Sequence, residues 1–162
     1  MGEYAVLRLK PEDYEKCGNI WDMRKEAARA EKWRREIESG NRMVLVCAKG
    51  GEYCGEGALV FQNDDPDYTV PGRRVYLSHL VVKTGCRGRG VGGLLTDALI
   101  AEAARLGYRE IALGVDMDNL PARRLYEKKG FATVLFEGRD EAGPYLKLLK
   151  KLPQPAADRR TR

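Results

Sequence analysis

A single histidine, His79, is all the imidazole that these 162 residues contain. The four cysteines, Cys17, Cys47, Cys54 and Cys86, show no C-x-x-C spacing, and one histidine cannot complete a usual zinc set with them. No metal is therefore expected, and thiols so scattered fit a reduced, cytoplasmic protein better than a disulfide framework. No cationic-then-apolar leader opens the sequence, and no apolar run approaches the roughly 20 residues needed to span a bilayer. A membrane partner is not expected. Strong charge of one sign is missing too: the formal balance is +5, and the last ten residues, with three arginines against one aspartate, supply part of it. Basic residues are not striped with aromatics, which make up only 8% of the chain, so a nucleic-acid partner is not expected either. A phosphorylated small molecule suits this charge better.

What remains is an ordinary globular composition, 43% hydrophobic, in a length that suits one domain, residues 1–152, with a core of its own. Residues 153–162, with two prolines, alanines and charge, read as a disordered tail. Tyr4 to Leu9 alternates as a first strand, and helix formers dominate Glu12 to Trp21 and Met23 to Ser39, with Gly40 as the stop. Met43 to Ala48 and Tyr53 to Gln62 form a hairpin around Lys49-Gly50-Gly51-Glu52, followed by a loop from Asn63 to Gly72. Val75 to Val82 is apolar at nearly every position, as a strand covered on both faces should be. A helix over Val91 to Leu106, a strand over Glu110 to Val115, and a helix capped by Asn119 and running to Lys129 come next. Phe131 to Glu137 and Tyr145 to Leu149 are the last strands. The order is β-α-α-β-β-β-α-β-α-β-β.

Between the apolar strand and the following helix stands Arg87-Gly88-Arg89-Gly90-Val91-Gly92. A strand that turns through glycines into a helix start gathers unpaired backbone N–H groups and the positive end of the helix dipole around one small volume. Such a volume suits a phosphate or pyrophosphate. Glycine is needed because a Cβ would block the anion and because some turn positions require φ > 0, while Arg87 and Arg89 add charge at the rim. A solvated glycine turn would give the same hexapeptide; its place between strand and helix favours the anion site. Gly88, Gly90 and Gly93 also satisfy the G-x-G-x-x-G spacing of a dinucleotide-binding unit. That unit puts its glycines after the first strand and an acidic residue at the end of the next, whereas here several elements precede the loop and Leu113-Gly114 stands at the acidic position.

The same hexapeptide matches the R/Q-x-x-G-x-G/A loop of the GNAT acyltransferase superfamily, and Asn119, Ala122, Leu125-Tyr126-Glu127-Lys128 and Gly130-Phe131 match its second signature. With the element order, the sequence resembles that superfamily over roughly residues 4–150. The resemblance implies an α/β (α+β) GNAT acyl-CoA N-acyltransferase fold, a mixed central sheet of about seven strands flanked by about four helices. It implies acetyl-CoA as acyl donor, with its pyrophosphate on Arg87, Gly88, Arg89, Gly90, Val91 and Gly92 and its pantetheine arm along the main chain of Leu80, Val81 and Val82. Two neighbouring strands splay apart in the family to expose main-chain groups to that arm, and here they would be Val75 to Val82 and Glu110 to Val115. Asn119 matches a frequent coenzyme contact and Tyr126 the family's proton donor to the departing thiolate. A backbone N–H near Leu80 or Val81 would stabilise the oxyanion. An ammonium acceptor must lose a proton, for which His79 and Glu56, acting through water, are the candidates. Each also fits a plain structural role. Cys86 is incidental, since direct attack needs no cysteine nucleophile.

The acceptor is less readable. Asp64, Asp65 and Asp67 on the long loop, with Asp116 and Asp118, would make a negative field facing a cationic amine such as a polyamine or an aminoglycoside-like molecule. Loop aspartates also serve turns and solvent. Trp21 and Trp33 would line the acceptor cleft or belong to the core. Some relatives that act on protein amines carry a glutamate where this chain has Gly114, which weakens that reading. A protein lysine or N-terminal acetyltransferase and a non-catalytic acyl-CoA sensor stay as alternatives; dimers are common in the superfamily, so a homodimer is one option, while the sequence leaves the oligomeric state open.

Overall fold

A computed structural model describes residues 3–153, so the expected tail falls almost wholly outside the described residues. Seven strands form one mixed sheet: β1 (Ala5–Arg8), β2 (Arg42–Lys49), β3 (Glu52–Val60), β4 (Arg74–Val82), β5 (Glu110–Asp116), β6 (Thr133–Asp140) and β7 (Gly143–Lys151). Their order across the sheet is β1-β2-β3-β4-β5-β7-β6, and β4 with β5 is the parallel pair. Three α-helices cover it, α1 (Ala27–Ser39), α2 (Val91–Arg105) and α3 (Leu120–Lys128). This is the expected element order, with one change in kind.

The first helical segment, Pro11–Asn19, is a 3₁₀ helix rather than an α-helix. Tyr14, Cys17 and Ile20 recur every three residues and are all buried, the spacing that a 3₁₀ helix, with three residues per turn, puts on one face. The next helix starts at Ala27, not Met23. The Asp22 carboxylate accepts from the Lys25 N–H at 3.0 Å, a local turn that competes with a helical start.

Side chains alternate between two covered faces. On one, Val75 and Leu77 of β4 and Ile111, Leu113 and Val115 of β5 pack with Leu99 and Ala103 of α2 and with Tyr126 of α3. On the other, Val44, Val46 and Ala58 pack beneath the 3₁₀ segment and α1 through Tyr14, Cys17, Trp21 and Ile37. Leu99 and Leu59 are fully enclosed; truncating either to alanine would cost about 2–5 kcal/mol.

Two irregularities in this sheet place the site. Strands β4 and β5 pair only at Arg74, Val75 and Tyr76 against Glu110, Ile111 and Ala112. Beyond those pairs their facing edges part. Ser78 and Val81 of β4 pair with Ala58 and Glu56 of β3, so His79 and Leu80 together oppose Gly57 alone. That is a β-bulge, and His79 takes it up with φ 56°, the one positive φ among the described non-glycine residues.

Candidate functional site

Two cavities of about 490 Å³ each meet at the parted ends of β4 and β5. Leu80, Asn119, Ala122 and Tyr126 line both. Tyr126 is buried and packs edge-on to Phe131, with ring centroids 5.7 Å apart. Burial, with the Tyr76 phenol nearby, pushes its pKa up to about 12. Its hydroxyl therefore keeps its proton at neutral pH and can donate it.

The first cavity is walled by Leu80, Val81 and Val82 of β4, by Arg87, Gly88, Gly90, Val91 and Gly92, and by α3 from Asn119 to Tyr126. Every coenzyme-binding position read from the sequence lies on this wall except Arg89, which stays in solvent. Gly90 is the N-cap of α2 with φ 84°, a conformation that a side chain disfavours. It leaves the first N–H groups of α2 facing the cavity without a capping side chain. The Arg87 guanidinium donates to the Val82 carbonyl at 3.2 Å, which ties the loop back to the end of β4. The Asn119 side chain accepts from the Ala122 N–H at 3.3 Å, so it caps α3 at the same cavity.

The second cavity opens on the opposite face of the sheet and is built of side chains. Tyr68 of the long loop, Tyr76 of β4 and Tyr145 of β7 surround it, with Asp65, Asp116, Asp140 and Lys147. Of the five expected aspartates only Asp65 and Asp116 reach it, and Asp140 is one that sequence reasoning missed. The negative field is also smaller than expected. Lys147 donates to Asp65 at 2.6 Å and to Asp67 at 3.1 Å. Burial opposes the charged form of Asp65, but the Lys147 ammonium and the Asp67 N–H hold its carboxyl below the ordinary value.

The two expected proton acceptors both pack against Trp21. His79 contributes to the second cavity, yet its ring packs between Trp21 and Trp33, at centroid distances of 4.9 and 4.5 Å. Its Nε2 is buried without a hydrogen-bond partner. Burial first, then Arg42 and Arg29, pushes its pKa down to about 4. Glu56 lies outside both cavities. It is 3% exposed, accepts from the Trp21 indole N–H at 2.6 Å, and is pushed up to about 7 by burial. Trp21 and Trp33 pack on each other at 5.6 Å and neither lines the second cavity; Trp33 is half-buried, and Trp21 lines a different cavity. A larger cavity of about 860 Å³ lies between the 3₁₀ segment and α1, but it holds none of the glycine loop and does not reach Tyr126.

Among the described residues no group of three or more His, Cys, Asp or Glu side chains could hold a metal ion, and no helix is long and apolar enough to cross a membrane.

Similarity to known proteins follows the same lines. The sequence model of the Acetyltransferase (GNAT) family matches residues 4–131. An uncharacterised N-acetyltransferase of Mycobacterium bovis is 33% identical over 90 residues, 56% of this chain and 53% of that protein. The chain thus spans about half the length of the curated relatives it matches. An N-acetyltransferase of Staphylococcus aureus shares the fold at a TM-score of 0.72 and 20% identity, over 93% of this chain and 99% of that one. An aminoglycoside 6'-N-acetyltransferase solved with coenzyme A does so at 0.71 and 18%, over 93% and 99%. With a family match running from the first strand through α3, on a sheet that parts where β4 meets β5, the chain belongs to the GNAT acetyltransferase family.

Proposed function

We propose that this protein is an acetyl-CoA-dependent N-acetyltransferase that acts on the primary amine of a small cationic molecule, of the polyamine or aminoglycoside-like kind, by direct attack in a ternary complex. The observation that carries the reading is the meeting of a main-chain-lined cavity and a phenol- and carboxylate-lined cavity at the Tyr126 side chain. Acetyl-CoA suits the first cavity. The start of α2 would hold its diphosphate, Arg87 would stand at the rim, and the free edge of Leu80 to Val82 would pair with its amides as an added strand would. Bound there, acetyl-CoA supplies an activated acetyl thioester.

The chain's own groups then handle charge and protons. As the amine nitrogen bonds to the acetyl carbon and the carbon–sulfur bond breaks, Tyr126 gives its proton to the departing sulfur. A main-chain N–H at Leu80 or Val81, beside the bulge at His79, would stabilise the oxygen that gains charge. The amine's own proton leaves through water in the second cavity. His79 is neutral at physiological pH and is the nearer acceptor for it, although a pKa of about 4 makes it a weak one. Glu56, sealed under Trp21, is assigned the placing of that indole and not the proton. All four cysteines are free thiols, in keeping with a reducing cytoplasmic compartment.

Release of free thiol from acetyl-CoA, measured with polyamines, aminoglycosides and lysine-containing peptides, tests this reading. Turnover of a small cationic amine is the expected result. Turnover of peptides alone would move the assignment to protein amines, and coenzyme binding with no turnover of any acceptor would leave an acyl-CoA sensor.

A further inference from the structure

Opposite the coenzyme side, Tyr68 lies where the gap between β4 and β5 begins. Its ring stacks at 4.2 Å and 17° on Tyr76 of β4, which with Ala112 forms the last residue pair that joins the two strands. Its hydroxyl reaches across to β5, where a Cβ on Gly114 would collide with it. Gly114 pairs with Lys147 across the β5–β7 ladder, which puts the lysine on the same face. From there Lys147 holds Asp65 and Asp67, three positions and one position before Tyr68, and lies 5.1 Å from the centre of the Tyr68 ring. The Asp67 N–H also donates to the Asp65 carboxylate at 2.9 Å. A loop residue is thus wedged over a strand glycine and clamped from two sides.

We infer that Tyr68 sets the width of the acceptor: wedged between Tyr76 and Gly114, it admits a slender, unbranched primary amine to Tyr126 and excludes a ring or a branched carbon beside the nitrogen, which narrows the proposed acceptors to the polyamine kind. The inference rests on the acetyltransferase reading above and deepens it. Both walls of the entry are fixed strands, and Gly114 gives Tyr68 no side chain to yield against. The clamp keeps the loop from swinging away as a bare surface loop would. Aromatic rings in van der Waals contact with a rigid sheet discriminate by shape, and a misfit of one or a few carbons in such a slot changes affinity by about 10-fold or more.

The test needs no knowledge of the natural acceptor. Two conjugates, coenzyme A joined through its sulfur to an N-butylacetamide or to an N-cyclohexylacetamide, are titrated calorimetrically into the wild-type protein and Tyr68→Ala. Wild type should bind the butyl conjugate about 10-fold more tightly, and Tyr68→Ala should bring the two within about 2-fold. Gly114→Ala, which forces Tyr68 out of its seat without removing it, should lose discrimination in the same way and serves if Tyr68→Ala does not fold. Equal binding of both conjugates by wild type, or discrimination that survives in the variants, would overturn the inference alone. Coenzyme A itself is titrated alongside: if neither it nor a conjugate binds, the acetyltransferase reading falls, and the inference with it.

Discussion

The two cavities that meet at Tyr126 have the same size and opposite construction. One is lined by a strand edge, a glycine loop and a helix start, so its binding groups are main-chain N–H and C=O. The other is lined by tyrosines, carboxylates and a lysine drawn from the long loop, β4, β5 and β7. A main-chain site is local: six consecutive residues and one strand produce most of it, and its sequence signature is short and contiguous. A side-chain site depends on register and on where a loop comes to rest. Specificity for a shared donor sits comfortably on the first kind and specificity for an individual acceptor on the second.

The sharpest way to break the contrast is at Gly90, where a side chain must adopt φ 84° on the cavity wall. Gly90→Val should reduce acetyl-CoA binding below detection by calorimetry while circular dichroism stays native. Normal affinity would remove the loop from the site. At the junction, Tyr126→Phe should lower kcat about 100-fold with coenzyme affinity unchanged, since general-acid groups contribute on that order. Unchanged kcat in steady-state assays would strip Tyr126 of its proton.

The layer behind the second cavity offers a pH test. Glu56 titrates near 7 when folded against 4.5 ordinarily, so the folded state holds its proton longer and stability falls as pH rises between those values. His79 titrates near 4 when folded against 6.5, so the unfolded state takes its proton first and stability falls as pH drops across that window. The two slopes oppose each other, each worth up to about 3 kcal/mol. In Glu56→Gln only the histidine's slope remains, and urea melts between pH 4 and pH 7 should show stability climbing with pH more steeply than in wild type. A parallel profile would mean that Glu56 titrates normally. The smallest effect belongs to Arg87→Ala. An exposed guanidinium should add about 5-fold to coenzyme affinity, an advantage that fades at high salt; equal affinity for wild type and variant at low salt would deny Arg87 any part in the site.

The contrast also explains what could be read without coordinates. The glycine loop, the apolar strand before it and the capped helix from Asn119 each announce themselves within a few residues, so the lining of the first cavity is legible down to single positions, with Arg89 outside it. The parting of β4 from β5 was legible only through family resemblance. Tyr68, Tyr76, Asp140, Tyr145 and Lys147 carried no local signal as a group. Lys147 is at the site because it pairs with Gly114 from 33 positions away in the chain, and no periodicity contains that fact. The 3₁₀ segment is indistinguishable from an α-helix in sequence because Tyr14, Cys17 and Ile20 suit either period until their burial is known. For His79 and Glu56 the sequence leaves chemistry and a structural role both open, because only packing against Trp21 distinguishes them.

The claim beneath all of this is that the start of α2 and the free edge of β4 grip an acyl thioester carrier. Calorimetric titration of the wild-type protein with acetyl-CoA tests it most directly. Saturable binding at one site per chain, lost in Gly90→Val, is the predicted result. No heat with acetyl-CoA, and clear saturation with a nicotinamide dinucleotide instead, would contradict it.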